Sequence, residues 1–282
     1  MRYDIRLLVT DLDGTLIAEG DTLSEEDLRA LQAVYDRGIP MAICSGRDAK
    51  NLSDIAMSAG LEDCAILALN GAYVLDRPMG AVLEDHRISP SAARACLDAL
   101  LNQTGELVMY QGETLLTYRT PQFKRMLRGS PRSAVDNSED TRSAMYEMAG
   151  SGVHKLVYSE LDHPERLRPL RKKLSQIPGI DITSSWFTNI EMMPCGIHKG
   201  YAVRRLAERL GVRLDQVMAF GDNDNDASML AAVGYGVAMG NAADAARSAA
   251  RYTTDSNLHN GVAKGIERFI LVDDFTKPSI SA

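Results

Sequence analysis

Asp11 and Asp13 stand two residues apart in Asp11-Leu12-Asp13-Gly14-Thr15, directly after an apolar run at residues 5–10. Two carboxylates this close repel unless a cation, a proton or fixed hydrogen-bond donors compensate them. A divalent metal is the simplest compensation, because Mg2+ is held by a few carboxylates together with substrate phosphate oxygens. Asp, Gly and Thr are also ordinary residues of a strand-to-loop turn, so this stretch by itself fits either reading. Three further polar clusters lie just past an apolar run or at a helix start: Ser45-Gly46-Arg47, Lys199, and Asp222 with Asn225 and Asp226. Singly, Ser-Gly-Arg reads as a turn and Lys199 as a solvated lysine. Together they supply carboxylates for a cation, a hydroxyl and a backbone amide for an anion, and a lysine, which is the equipment of a phosphoryl site.

Acidic residues alternate at Asp222, Asp224 and Asp226, as they do in a calcium-binding EF-hand loop. That loop needs glycine at its sixth position and glutamate at its twelfth. Ala227 and Val233 occupy those places, and a strand-like run precedes the loop, so a calcium loop is rejected. No glycine-rich nucleotide P-loop occurs either.

The elements that must carry these clusters follow from apolar periodicity. Residues 5–10, 39–44 and 65–69 read as buried strands, separated by helical patterns at 24–35 and 49–58. Ser24 caps the first helix with Asp27 three residues on, in capping-box style, and Gly38 ends it. Strand, helix and strand joined by short links predict a parallel sheet. The carboxyl ends of its strands open onto one crevice, so distant clusters converge there. From about residue 82 the rhythm changes. A helix is expected at 89–101, short strands at 106–111, 114–118, 155–158, 180–183 and 187–192, and a helical segment at 164–176. Residues 128–143 are polar and irregular. This middle third reads as an α+β module inserted into the parallel-sheet domain. The first rhythm then returns: a helix at 199–210, strands at 217–220 and 235–239, and helical stretches at 228–232, 242–250 and 262–269. Residues 273–282 show no pattern.

At 282 residues, 45% apolar and 24% charged, the chain has the composition of an ordinary globular protein with room for two domains. A net charge of -7 argues against a nucleic-acid-binding face but permits an anionic small substrate, because charge in a cleft is independent of the total. No apolar run approaches the roughly 20 residues that span a bilayer, and no signal-peptide pattern is present. Cys44, Cys64, Cys96 and Cys195 are scattered without metal-ligand spacing and read as free thiols of a reducing compartment. A cytoplasmic protein with no membrane or nucleic-acid partner is expected.

Asp-Leu-Asp-Gly-Thr at 11–15, Ser-Gly-Arg at 45–47, Gly-Ile-His-Lys-Gly at 196–200 and Gly-Asp-Asn-Asp-Asn-Asp-Ala-Ser-Met-Leu at 221–230 resemble, in order, the four motifs of the haloacid dehalogenase superfamily. They are most similar to its Cof-type sugar-phosphatase branch, as are Asn70-Gly71-Ala72 and residues 259–264. The resemblance spans the whole chain. It implies an α/β fold: a Rossmann-like core of residues 1–82 and 194–282 under a C2-type cap of residues 83–193. It further implies Mg2+-dependent hydrolysis of a small phosphorylated metabolite, a sugar phosphate or similar phosphomonoester, through an aspartyl phosphate. Asp11 would be the nucleophile and Asp13 the general acid and base. Asp11, Asp13, Asp222 and Asp226 would form the metal site, Asp13 through its backbone carbonyl and Asp226 by orienting its neighbours. Leu12, Ser45, Gly46, Arg47, Asn70, Gly71, Lys199 and Asn225 would contact the substrate. The cap would select the ester. Its Arg119, His154, Lys155, Trp186 and Phe187 stand out, although Trp186 and Phe187 are more simply read as cap interior. A sugar phosphomutase and a non-catalytic phospho-ligand-binding protein are the competing readings, with monomer and homodimer both open.

Overall fold

In a computed structural model the described residues are 3–17, 22–118, 133–135 (backbone only), 139–185 and 187–271. The chain opens with β1 (Leu7–Thr10), α1 (Glu25–Tyr35), β2 (Met41–Cys44), α2 (Ala49–Ser58) and β3 (Ala65–Ala68). All three strands are buried along their length, as continuous apolar runs in a parallel sheet covered on both faces must be. A 3-10 turn at Leu69–Gly71 then reverses the chain into an antiparallel hairpin, β4 (Tyr73–Leu75) and β5 (Val82–Asp85).

The middle segment contributes α3 (Pro90–Leu100), β6 (Glu106–Gln111), β7 (Thr114–Tyr118), β8 (Ser133–Val135) and α4 (Glu139–Ala149). It continues with β9 (Lys155–Ser159), α5 (Leu167–Leu174), β10 (Ile180–Thr183) and β11 (Asn189–Pro194). The return consists of α6 (Lys199–Arg209), β12 (Val217–Gly221), α7 (Ala227–Ala232), β13 (Tyr235–Ala238), α8 (Asp244–Ala249), β14 (Tyr252–Thr253) and α9 (Gly261–Phe269).

Two sheets result. The larger runs β14-β13-β12-β1-β2-β3-β4-β5, parallel as far as β3, and the smaller runs β10-β11-β9-β6-β7-β8. After β1 the chain builds outward through β2 and β3, then returns to build the other way from β12, so the order switches between β1 and β12. That switch is where open α/β sheets bind ligands. Leu8, Ile43, Ile66 and Phe220 pack on one face of the large sheet with Leu31, Leu52 and Ile266. Leu7, Val9, Leu67 and Ala219 pack on the other with Val203, Leu206 and Leu230. The smaller sheet has its own apolar core, including Leu97, Leu107, Leu156, Tyr158 and Ile190.

Some boundaries differ from expectation. β5 belongs to the large sheet, which therefore extends to Asp85 rather than ending at 82, and β11 keeps Pro194 in the smaller sheet. The polar stretch at 128–143 contains β8 and the first turn of α4, hidden because only Thr141, Met145 and Ala149 of that helix are buried. Phe187, expected in a strand or the cap interior, precedes β11 and is 83% exposed. Arg119, Trp186 and residues 273–282 lie outside the described residues. Among the described residues no helix is long and apolar enough to cross a membrane. All four cysteines are free.

Ser24 caps α1 as expected, accepting the Asp27 N–H at 3.0 Å. Asp27 does not close the box locally. Its Oδ1 accepts the Ala263 N–H at 2.8 Å and so caps α9, whose own N-cap, Asn260, is left-handed and makes no side-chain cap bond. One carboxylate thereby ties the first and last helices together. Asp27→Ala is expected to cost about 1–2 kcal/mol, the upper part of the range for a lost cap, read as a lower urea midpoint with unchanged slope.

Candidate active site

β1 and β12 are parallel neighbours, Thr10 beside Phe220, and they leave the sheet together, with the Asp11 N–H donating to the Phe220 carbonyl at 3.0 Å. The residues after each strand, Asp11 and Asp222, are therefore brought side by side. Gly14, at φ +80°, lets the two loops close: a Cβ there would lie 2.3 Å from Asp222 Oδ2. Thr15 Oγ1 donates to Asp222 Oδ1 at 2.9 Å.

Lys199 enters from the first turn of α6, capped by His198, whose Nδ1 accepts the Tyr201 N–H at 3.1 Å. Gly200 allows that turn to lie against the start of α7, since a Cβ would come within 2.3 Å of the Ser228 carbonyl oxygen. Far from being a solvated lysine, Lys199 is 1% exposed, with Nζ 2.7 Å from Asp11 Oδ1 and 2.6 Å from Asp226 Oδ1. Asp226 Oδ2 accepts the N–H groups of Asp222 at 3.0 Å and Asn223 at 2.9 Å. Both Asp226 oxygens are thus engaged by the chain, whereas Oδ2 of Asp11 and Oδ2 of Asp222 have no hydrogen bond among the described residues.

One ammonium faces three buried carboxylates, Asp11, Asp222 and Asp226, whose oxygens lie within 4.8 Å of one another. Burial, and then the charge of Asp226, push the Asp11 carboxyl well above the ordinary carboxylate range against the pull of Lys199. Burial followed by Asp226 raises Asp222 to about 6. Burial alone would loosen the Lys199 proton, but Asp11 and Asp226 outweigh it and the ammonium stays charged. Three carboxylates against one ammonium leave two negative charges uncompensated. Hard oxygen donors crowded in this way suit a divalent cation, which Asp11 and Asp222 could ligate with Asp226 holding the loop behind them.

Not every expected residue joins this cluster. The Asp13 carboxylate, 46% exposed, turns away to pair with Arg47, at 2.5 Å to Nη2 and 2.9 Å to Nε. Arg47 Nη1 donates to Asn51 Oδ1 at 2.9 Å, so its guanidinium faces protein groups. Gly71 lies under α6, where a Cβ would meet the Ala202 Cβ at 2.5 Å. Leu12 is fully buried, its carbonyl accepting the Ile17 N–H at 2.8 Å. Ser45, 1% exposed, follows β2 and thus flanks Asp11. Its loop is held by two left-handed residues: the Asn70 N–H donates to the Ser45 carbonyl and the Leu69 N–H to the Arg47 carbonyl, both at 2.9 Å. Asn70 Oδ1 accepts from Asn225 Nδ2 at 3.1 Å. A cavity of about 270 Å³ beside these groups is lined by Asn70, Lys199 and Asn225 of the core and by Asp181, Thr183 and Met193 from the other sheet. Thr15, Asn223 and Glu191 are contributors that sequence reasoning missed. Thr15 lies within the first motif and was legible there; Glu191 carries no local signal.

The sequence profile of the haloacid dehalogenase-like hydrolases matches residues 8–266, and the chain belongs to that family. Within it the chain stands among phosphatases. It is 28% identical over 271 residues to the 5-amino-6-(5-phospho-D-ribitylamino)uracil phosphatase YcsE of Bacillus subtilis, covering 95% of this chain and 97% of that one. It is also 28% identical over 268 residues to the pyridoxal phosphate phosphatase YbhA of Escherichia coli, covering 93% and 97%. The crystal structure of TM0651 from Thermotoga maritima superposes with a TM-score of 0.78 at 27% identity, over 94% of this chain and 97% of that one.

Because the Asp222 carboxyl rises from its usual 3.8 to about 6 on folding, its ionisation opposes folding. The penalty is absent below about pH 4, grows through the window between those two values, and is complete above it. Asp222→Asn, which keeps the acceptor for Thr15, is therefore expected to stabilise the metal-free protein by about 1–3 kcal/mol at pH 8 and hardly at all at pH 4. Urea melts of chelator-treated protein at the two pH values check this; equal gains at both would contradict it.

Proposed function

We propose that this chain is a Mg2+-dependent phosphatase that hydrolyses a small phosphorylated metabolite, a sugar phosphate or similar phosphomonoester, through a phosphoaspartate on Asp11. The observation that carries the reading is the setting of Asp11: one oxygen is fixed by Lys199, and the other has no hydrogen bond among the described residues and lies in the cluster with Asp222. Asp11 attacks as a carboxylate, which a bound cation beside Asp222 would keep ionised against the upward push of burial, so no activating base is needed. As the Asp11–phosphorus bond forms, the bond from phosphorus to the ester oxygen breaks. Asp13 gives that oxygen its proton, then takes a proton from the water that attacks phosphorus, and inorganic phosphate leaves with Asp11 restored. The pair with Arg47 must open for Asp13 to reach the ester oxygen. Ser45, Lys199, Asn225 and the amides near Leu12 and Gly46 hold the phosphoryl oxygens, where charge builds in transfer. When bound, Mg2+ neutralises charge between the nucleophile and the phosphate dianion.

The relatives' names span phosphates of a ribitylaminouracil and of pyridoxal, which supports a small metabolite substrate without choosing one. The cavity shared by both sheets receives its organic part. Phosphate release from p-nitrophenyl phosphate and from a panel of phosphorylated metabolites tests the reading. Turnover is expected with Mg2+ and not with chelator. Asp11→Asn should abolish it, and Asp13→Asn should lower kcat by about 10^2 to 10^4, the usual weight of general acid–base catalysis. A near-wild-type rate for Asp13→Asn would remove Asp13 from this role.

A further inference from the structure

The smaller sheet reaches the core through a buried charge pair that lies outside the aspartate cluster. Lys155 begins β9 and Glu191 lies in the neighbouring strand β11; they are 3% and 1% exposed, with Nζ and Oε2 3.0 Å apart. Lys155 Nζ also donates to the Gly46 carbonyl at 3.1 Å, and Glu191 Oε2 accepts from Asn70 Nδ2 at 2.9 Å. The Ser185 hydroxyl donates to Glu191 Oε1 at 2.5 Å. Burial would raise the Glu191 carboxyl, but Lys155, Ser185 and Asn70 together hold it below the ordinary range. It therefore accepts hydrogen bonds on both oxygens and donates none.

That one-way character propagates. A carboxylate can face only the NH2 end of Asn70, which turns Asn70 Oδ1 toward Asn225 and requires Asn225 Nδ2 to donate to it. Asn225 Oδ1 is left buried with no partner among the described residues. Two amides thus relay an orientation from the smaller sheet to the loop that carries Asp222 and Asp226. At the same time Lys155 holds the Gly46 peptide, where even a Cβ would come within 3.2 Å of Nζ. Neither Lys155 nor Glu191 is among the residues lining the cavity beside Lys199 and Asn225, whereas both bond the polypeptide of the core, which favours an action through that polypeptide.

We propose that Lys155 and Glu191 are positioning residues for the phosphoryl pocket: they fix the Gly46 peptide and, through Asn70, the Asn225 amide, whose second Nδ2 hydrogen is then held for a phosphoryl oxygen of the ligand. This rests on the phosphatase reading and adds that the cap completes the phosphoryl pocket as well as choosing the ester.

Removing one member would strand a buried charge, so both are replaced, as Lys155→Met with Glu191→Gln. Inorganic phosphate, used as a competitive inhibitor with Mg2+ present, reads the phosphoryl pocket without a leaving group. The double variant is expected to raise the phosphate inhibition constant about 10-fold or more and to lower kcat similarly, the scale of a small misplacement. The ratio of kcat/KM between p-nitrophenyl phosphate and a sugar phosphate should not change. An unchanged inhibition constant would overturn the proposal, pointing to packing alone if the melting temperature falls and to leaving-group contact if the ratio shifts. Asn70→Gly keeps the left-handed backbone and covers the case of a double variant that fails to fold. It should raise the inhibition constant too, and adding it to the double variant should have no further effect; an unchanged constant or full additivity would overturn the relay. If the unsubstituted protein neither hydrolyses any ester nor binds phosphate, the phosphatase reading fails first and this proposal with it.

Discussion

A buried ammonium between two carboxylates, Lys199 with Asp11 and Asp226, is the contact on which the rest of the site depends. Charges so deeply buried are tolerated only when each has partners, and the fold is shaped to supply them. The β1–β12 pairing brings Asp11 beside Asp222, Gly14 removes the side chain that would separate their loops, and Gly200 lets α6 deliver the lysine. Asp226 is the hinge of this arrangement, taking the lysine on one oxygen and two backbone N–H groups on the other. Because Lys199 cancels only part of the negative charge, the cluster still calls for a cation. The same imbalance that makes Asp222 unfavourable for folding is one that a divalent cation could relieve.

Around this centre lies a second layer of polar contacts in which the two sheets meet. The Ser45–Arg47 loop is braced by the left-handed Leu69 and Asn70, and Asn70 bonds at once to that loop, to Asn225 and to Glu191 of the smaller sheet. Positive φ at non-glycine residues costs energy and persists where surroundings demand it. Here the demand is legible, since the two amides bond loop carbonyls that no regular strand continuation would reach. Asn223 Nδ2 adds another tie, donating to the Ser185 carbonyl at 2.8 Å.

Much of the large sheet was legible because its strands are continuous apolar runs with the polar clusters placed just past their ends, a local signal. The convergence of Asp11 with Asp222 and Asp226 followed from topology, which places the carboxyl ends of parallel strands on one edge whatever their separation in sequence, while Lys199 arrives from the first turn of α6. Other features had no local signature. Asp13 and Arg47 are long or half-exposed groups whose orientation is decided by each other. The helix at Glu139–Ala149 buries too narrow a face to show a clear period. Lys155 stands out in the cap without a partner and Glu191 carries no local signal; only the pairing of β9 with β11 and the placement of that sheet over residues 46 and 70 bring them together.

The most direct measurement is anomalous diffraction from crystals grown with Mn2+ in place of Mg2+. One strong peak is expected per chain, about 2 Å from carboxylate oxygens of both Asp11 and Asp222. A well-occupied ion elsewhere, such as at Asp13 or Asp224, with none between Asp11 and Asp222, would contradict the assignment of this cluster as the metal site.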